Sequence, residues 1–260
     1  MPTLPAYAEL HCLSNFTFLR GASHAEELVT RAQALGYGAL AITDECSLAG
    51  VVRAHVAARQ HGFKLIIGTE VQIEDGPKLV LLATNRESYG HISALITRAR
   101  MRAVKGSYKV TLADLECNLD HCLALLLPPQ TLGFHLPQAP EEGVPLRSTC
   151  LRYARYLARR FPQRAWIAVE LLSEPNDHAQ LEALRELSTH SGLPLVAAGD
   201  VHMHLRSRKP LQDTLTAIRH GVTLAAAGHR LHANAERHLR ARAALAPPVL
   251  LPACAMITEA

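Results

Sequence analysis

Acidic and imidazole side chains stand directly after short apolar runs at His11, Asp44, Glu45, Glu70, Glu170, Asp200 and His202. Carboxylate and imidazole are the donors that zinc, manganese and iron accept, and such ions activate water for phosphoester hydrolysis. The same groups can instead close strand ends by hydrogen-bonding loop backbone. Residue type and spacing leave both readings open, and the chain's 15 histidines give reason to weigh the first.

The elements that must hold these residues follow from periodicity. Strands are predicted at 7–12, 39–43, 64–68, 78–84, 123–127, 165–171 and 195–198. Helices are predicted at 24–36, 48–61, 88–104, 151–161, 177–191 and 211–220. Ser23 is a candidate N-cap, with Glu26 three residues on completing a capping box. Alternating strands and helices predict an α/β fold of parallel strands with helical crossovers. Strands buried on both faces explain uninterrupted runs such as LVLLA and PLVAAG. The strand count favours a closed barrel over an open sheet, and no GxGxxG or P-loop follows any strand. In a barrel, chemistry gathers at the C-terminal strand ends, where the polar set lies.

Composition narrows the classes. With 260 residues, 48% apolar and 19% charged, the chain fits one large core. A net charge of +4 is a weak argument for nucleic-acid binding. Cys12, Cys46, Cys117, Cys122, Cys150 and Cys254 form no CxxC pair, which disfavours a zinc ribbon. Neither a basic start followed by an apolar run nor a membrane-length apolar stretch occurs, so a cytoplasmic protein with reduced thiols is expected. The chain lacks a GxSxG elbow, and an aromatic content of 5%, with Trp166 the sole tryptophan, disfavours a base-stacking platform.

The segments ELHCLSNFTFLRGAS, ALAITDECSLAGVVRA, IIGTE, KLVLLATN and VAAGDVHMHLRSRKPLQDTL resemble the polymerase-and-histidinol-phosphatase (PHP) domain. More narrowly, they are similar to the PHP domain that begins error-prone C-family DNA polymerases, relatives of the DNA polymerase III alpha subunit. The resemblance runs in order from about Tyr7 to Arg240. It implies a distorted seven-stranded (β/α) barrel of PHP type, TIM-barrel-like, with a metal cluster in active members. His11, Glu70, Asp200 and His202 match ligand positions. Departures are as informative: Leu13 replaces the second histidine of His-x-His, Arg20 replaces an aspartate, Glu45 replaces the histidine of Thr-Asp-His, and Lys78 stands where a histidine precedes a strand. Leucine cannot ligate, and Arg20 and Lys78 repel a dication while neutralising Glu45, Glu70 and Asp200. The site is therefore expected to be metal-free, with zinc or manganese as the ion if the surviving ligands are occupied. His204 is not expected to compensate.

The resemblance implies a PHP barrel domain over 1–245, followed by an atypical tail over 246–260, with the polymerase region absent. The expected function is a structural, non-catalytic module of a DNA-directed polymerase used in replication and damage-induced translesion synthesis. The alternatives are a metal-dependent phosphoesterase or 3′–5′ exonuclease, and an independent binding protein. Implied partners are the remaining polymerase domains, DNA through the polymerase, and translesion accessory proteins, with no membrane. Arg98, Arg100, Arg102 and Lys105 form a basic segment that could touch phosphates, although a solvated surface is the plainer reading. A second basic run, HLRARA, lies at 238–243.

Overall fold

The computed structural model describes residues 6–132 and 146–245. The expected tail at 246–260, Cys254 and most of a proline-rich loop expected at 128–145 lie outside those residues. Strands β1 (Ala8–Glu9), β2 (Ala39–Ile42), β3 (Lys64–Gln72), β4 (Lys78–Ala83), β5 (Cys122–Leu127), β6 (Ala165–Val169) and β7 (Leu195–Ala197) are neighbours in chain order in one seven-stranded sheet. Between and after them come α1 (Ala25–Ala34), α2 (Val51–His61), α3 (Arg86–Met101), α4 (Leu146–Arg160), α5 (Asp177–Ser191), α6 (Lys209–Arg219) and α7 (Leu224–Ala227). This is the distorted seven-stranded (β/α) barrel class expected from the sequence. The chain divides into two compact units, one running to Glu70 and resuming at Ala197, the other Val71–Val196.

In the first unit, β1 pairs parallel with β2 from Ala8↔Ala39, and β2 pairs parallel with β3 from Ala39↔Lys64 to Ile42↔Ile67. The continuation of β1 meets the segment after β7 through a parallel bridge, Cys12↔Val201. There Leu13 N–H donates to Val201 O at 2.8 Å, and Val201 N–H donates to His11 O at 2.9 Å. The first strand is thus paired on both sides, leaving no open edge there. Leu28, Val29 and Ala32 of α1 are buried, and every residue of β2 is buried. The N-cap of α1 is His24, and the Glu27 carboxylate accepts His24 N–H at 2.9 Å. The expected Ser23–Glu26 box is displaced by one residue because the Ser23 hydroxyl is committed to His204, accepting its N–H and contacting its Nδ1, both at 2.8 Å.

In the second unit, β5 and β6 are parallel, Ala124↔Ala165, but β4 and β5 are antiparallel, Lys78↔Leu127 to Ala83↔Cys122. The expectation of parallel strands throughout therefore fails at β4. Only residues 73–77 separate it from β3, and Ile73 N–H donates across that turn to Pro77 O at 3.2 Å. A parallel return needs a crossover of about a dozen residues. Reversal has one consequence: Lys78, the first residue of β4, lies beside Leu127 at the C-terminal end of β5. The first residue of β4 thereby lies at the end where the parallel pair β5 and β6 finish. Asn85 caps α3, its side chain accepting Ser88 N–H at 2.9 Å.

Candidate functional site

Glu9, His11 and Leu13 share one face of the first strand, because side chains alternate along extended backbone. All three are buried. Glu9 accepts the backbone N–H groups of Leu10 at 3.1 Å, His11 at 3.0 Å and Gly199 at 2.8 Å, and the Tyr7 hydroxyl at 2.8 Å. Burial pushes the Glu9 carboxyl above the ordinary carboxylate range, and these donors oppose that rise. The Gly199 contact fixes the turn that presents Asp200, whose backbone φ of 44° is left-handed. A Cβ on Gly199 would come 2.4 Å from Glu9 Oε2, so a larger residue there would have to displace the buried Glu9 carboxylate.

Arg20 is placed by the loop between the first strand and α1. Asp44, just past β2, accepts Ser14 N–H at 2.8 Å, Ser14 Oγ at 2.7 Å and Thr17 Oγ1 at 2.7 Å. Burial raises the Asp44 carboxyl, partly offset by those hydroxyls. Asp44 is thus a clasp for the loop. Gly21 lets the loop turn back, since a Cβ there would lie 2.0 Å from Ser14 O.

The loop delivers the Arg20 guanidinium onto two carboxylates. Its Nη1 donates to Glu70 Oε1 at 2.7 Å and to Glu45 Oε2 at 2.5 Å, and Nη2 reaches Glu70 Oε2 at 3.3 Å. Glu45 and Glu70 face each other through a parallel bridge that extends the β2–β3 pairing. Burial disfavours the charged guanidinium, but Glu70 and Glu45 outweigh it and hold Arg20 protonated more firmly than usual.

His11 Nε2 lies 2.9 Å from Glu70 Oε2, and its Nδ1 lies 3.7 Å from Asp200 Oδ1. His202 Nε2 contacts Asp200 Oδ1 at 3.0 Å, while its Nδ1 meets Gln212 Nε2 at 2.8 Å. Donor atoms of His11, Glu70 and Asp200 all fall within 4.8 Å of one another, and His202 is not part of that group. A second guanidinium completes the cluster: Arg237 Nη1 pairs with Asp200 Oδ2, and Arg237 Nε contacts His232 Nδ1 at 3.1 Å. The His232 ring, pushed down to about 3 by burial first and by His202 and nearby cations, is the neutral acceptor that this contact needs.

The sequence-derived residues divide accordingly. The structure brings together His11, Arg20, Glu45, Glu70, Asp200 and His202. Arg237 and Glu9 were missed. Arg237 arrives because Met203 and His238 form a parallel bridge and His202 N–H donates to Arg237 O at 2.9 Å. No spacing rule marks such a loop. Glu9 carried a usable signal, its i, i+2 relation to His11. Asp200 has a guanidinium partner in Arg237, while Arg20 pairs with Glu45 and Glu70. Lys78 belongs to the second unit, as does Glu170, buried just beyond β6. His204 turns toward Ser23 and lies 3.8 Å from Glu27.

The basic segment lies at the end of α3 and in the loop after it. Arg102 forms a bidentate pair with Asp114 at 2.7 and 2.9 Å, and Arg100 donates to Ser107 O at 3.2 Å beneath the Tyr108 ring. These two guanidinium groups fasten the loop after α3, whereas Lys105 is exposed. The second basic run is mixed: Arg240 is buried, His238 and Arg242 are half-buried, and Ala241 and Ala243 are exposed. Arg240 is 9% exposed, and Arg242 donates to Gly36 O at 3.0 Å.

The donor set does not fit a dication in this arrangement. Glu70 and Asp200 would supply two negative charges, but each already carries a guanidinium counter-charge. A guanidinium about 5 Å from a dication costs roughly 7 kcal/mol at an effective dielectric near 20. No catalytic step through a metal is derived.

Comparison with known proteins places this geometry. The family model described as the PHP domain matches residues 9–161. The chain is 53% identical over 257 residues to an error-prone DNA polymerase of Dechloromonas aromatica, covering 96% of this chain and 23% of the relative. It is 54% identical over 235 residues to one from Methylococcus capsulatus, covering 90% of this chain and 21% of the relative. The chain thus spans under a quarter of the length of these curated relatives. Among solved structures, a metal-dependent phosphoesterase from Bifidobacterium adolescentis superposes with a TM-score of 0.50 at 15% identity, covering 77% of this chain and 89% of that one. An amidohydrolase from Chromobacterium violaceum, with bound sulfate and no metal, gives 0.51 at 18% identity, covering 76% and 88%. Those two likenesses speak for the fold. No helix among the described residues is long and apolar enough to cross a membrane.

Proposed function

Because the chain belongs to the PHP domain family, we propose that it is the PHP module of an error-prone DNA polymerase and serves as a structural, non-catalytic brace. In this reading it supports a polymerase used in replication past damaged template, in the cytoplasm, beside the remaining polymerase domains and translesion accessory proteins. The single observation that carries the non-catalytic part is the double guanidinium occupancy of the site. Arg20 holds Glu70 and Glu45, and Arg237 holds Asp200. These pairs fill the positions where a hydrolase would need open, negatively charged ligands. The similarity to error-prone DNA polymerases over nearly the whole chain supports the polymerase part.

A metal-dependent phosphoesterase or 3′–5′ exonuclease is the second reading, favoured by the convergence of His11, Glu70 and Asp200 within 4.8 Å. One assay separates the two. The chain is incubated with manganese and either a chromogenic phosphoester or a single-stranded oligonucleotide. The brace reading expects no turnover above a matched His202→Ala control. Robust turnover that disappears in His202→Ala establishes the hydrolase instead.

A further inference from the structure

Helix α6 is built inside out. A surface helix normally turns its apolar stripe to the core and its polar face to water. Here the residues of α6 that the core buries are Gln212 and Ala217, and Gln212 reaches inward to His202. Lys209 and Asp213, on the same polar side, pair with each other at 2.5 Å. The opposite side carries Leu211, Leu215 and Ile218 at helical spacing, with Leu211 40% and Ile218 58% exposed. Leu224 of α7, a helix in contact with α6, is also 51% exposed.

An apolar helical stripe of this kind marks a surface that something covers. Two observations indicate what. The chain spans only 21–23% of the polymerases it matches, and α6 lies in the last stretch of described chain. Of the cations over residues 206–230, Arg206 and Arg208 pair with Glu236 and Glu27, and Lys209 pairs with Asp213; Arg219, beside the stripe on α6, and Arg230 are exposed. Among the described residues Arg219 and Arg230 make no ion pair.

Resting on the proposed function, we infer that the Leu211–Leu215–Ile218–Leu224 surface docks the polymerase region that the longer relatives carry. The docking segment presents apolar side chains, with carboxylates opposite Arg219 and Arg230. The polar inner face of α6 anchors the helix to His202, and the outer face makes the joint, so one helix links the ion-paired site to the rest of the enzyme.

The test replaces the matching region of the Dechloromonas aromatica polymerase with this chain and follows hydrogen exchange of the α6 amides. The chain alone and the chimaera are each studied with and without the paired substitutions Leu215→Glu and Ile218→Glu. The inference expects α6 protection about tenfold or more higher in the chimaera. It also expects the substitutions to abolish that gain while leaving the melting temperature of the chain alone unchanged. Equal exchange in chain and chimaera overturns the inference. So does a dimer of the chain alone that protects α6 and is dispersed by the substitutions. A chimaera that polymerises with α6 still exposed refutes the docking surface and leaves the proposed function standing. A chimaera that neither folds nor polymerises, under conditions where the parent enzyme does both, counts against the proposed function and the inference together.

Discussion

Replacing Arg20 with methionine keeps an unbranched apolar stem and removes the guanidinium charge. Glu70, with a side chain 0% exposed, then loses contacts at 2.7 and 3.3 Å and retains His11 at 2.9 Å. Stranding one member of a buried ion pair costs about 3–5 kcal/mol. The surviving His11 contact places the expected loss near the lower end, ~3 kcal/mol. The Glu45 arm adds at most about 1 kcal/mol, because its side chain is 27% exposed. Urea unfolding at pH 7, monitored by circular dichroism, should therefore show a clear drop in midpoint with an unchanged slope. A second substitution, Glu70→Gln, removes the stranded charge and should recover most of the loss in the double variant. A loss below about 1 kcal/mol would refute the claim that Arg20 is the internal counter-charge of the site. Failure of Glu70→Gln to rescue would refute it equally.

Gly199→Ala forces a Cβ to within 2.4 Å of Glu9 Oε2 and should cost about 1–3 kcal/mol in unfolding free energy. Asp114→Asn tests the loop after α3. Burial would raise the Asp114 carboxyl, but the Thr111 N–H, Arg102 and the Thr111 hydroxyl lower it on balance. A depressed carboxyl adds stability that is present above its unfolded pKa and lost as pH falls through the folded value. The substitution should accordingly cost about 1–2 kcal/mol at pH 7, a difference that shrinks as the medium is acidified below pH ~4; a difference independent of pH would contradict the assignment. Arg102→Ala should reduce stability without changing the salt dependence of DNA binding, because its guanidinium is spent on Asp114.

The fold was legible where periodicity had few rivals. The helix over Asp177–Ser191 matches its sequence-derived bounds, and the hydrophobic runs of β2 and β5 fall close to theirs. Strand direction was less visible. LVLLA reads the same in either direction, and only the five-residue connection 73–77 betrays the reversal of β4. In the site, His11, Glu70, Asp200 and His202 were found because each follows an apolar run, and Arg20 because it breaks a familiar pattern. Arg237 was invisible because a tertiary bridge, Met203↔His238, brings it in from an irregular segment. Glu9 escaped notice because it lies inside the strand predicted over 7–12 rather than at its end. In the Arg100–Arg102 segment charge is legible in the sequence, but the contacts to Ser107 and Asp114 are not.

Metal content is the most direct measure of whether this is an ion-paired site or a metal centre. The chain is purified without chelator or added metal, and bound zinc, manganese and iron are counted per molecule by elemental mass spectrometry. The account predicts a content far below one ion per chain, unaffected by Asp200→Ala. Stoichiometric metal that is lost in Asp200→Ala would contradict it.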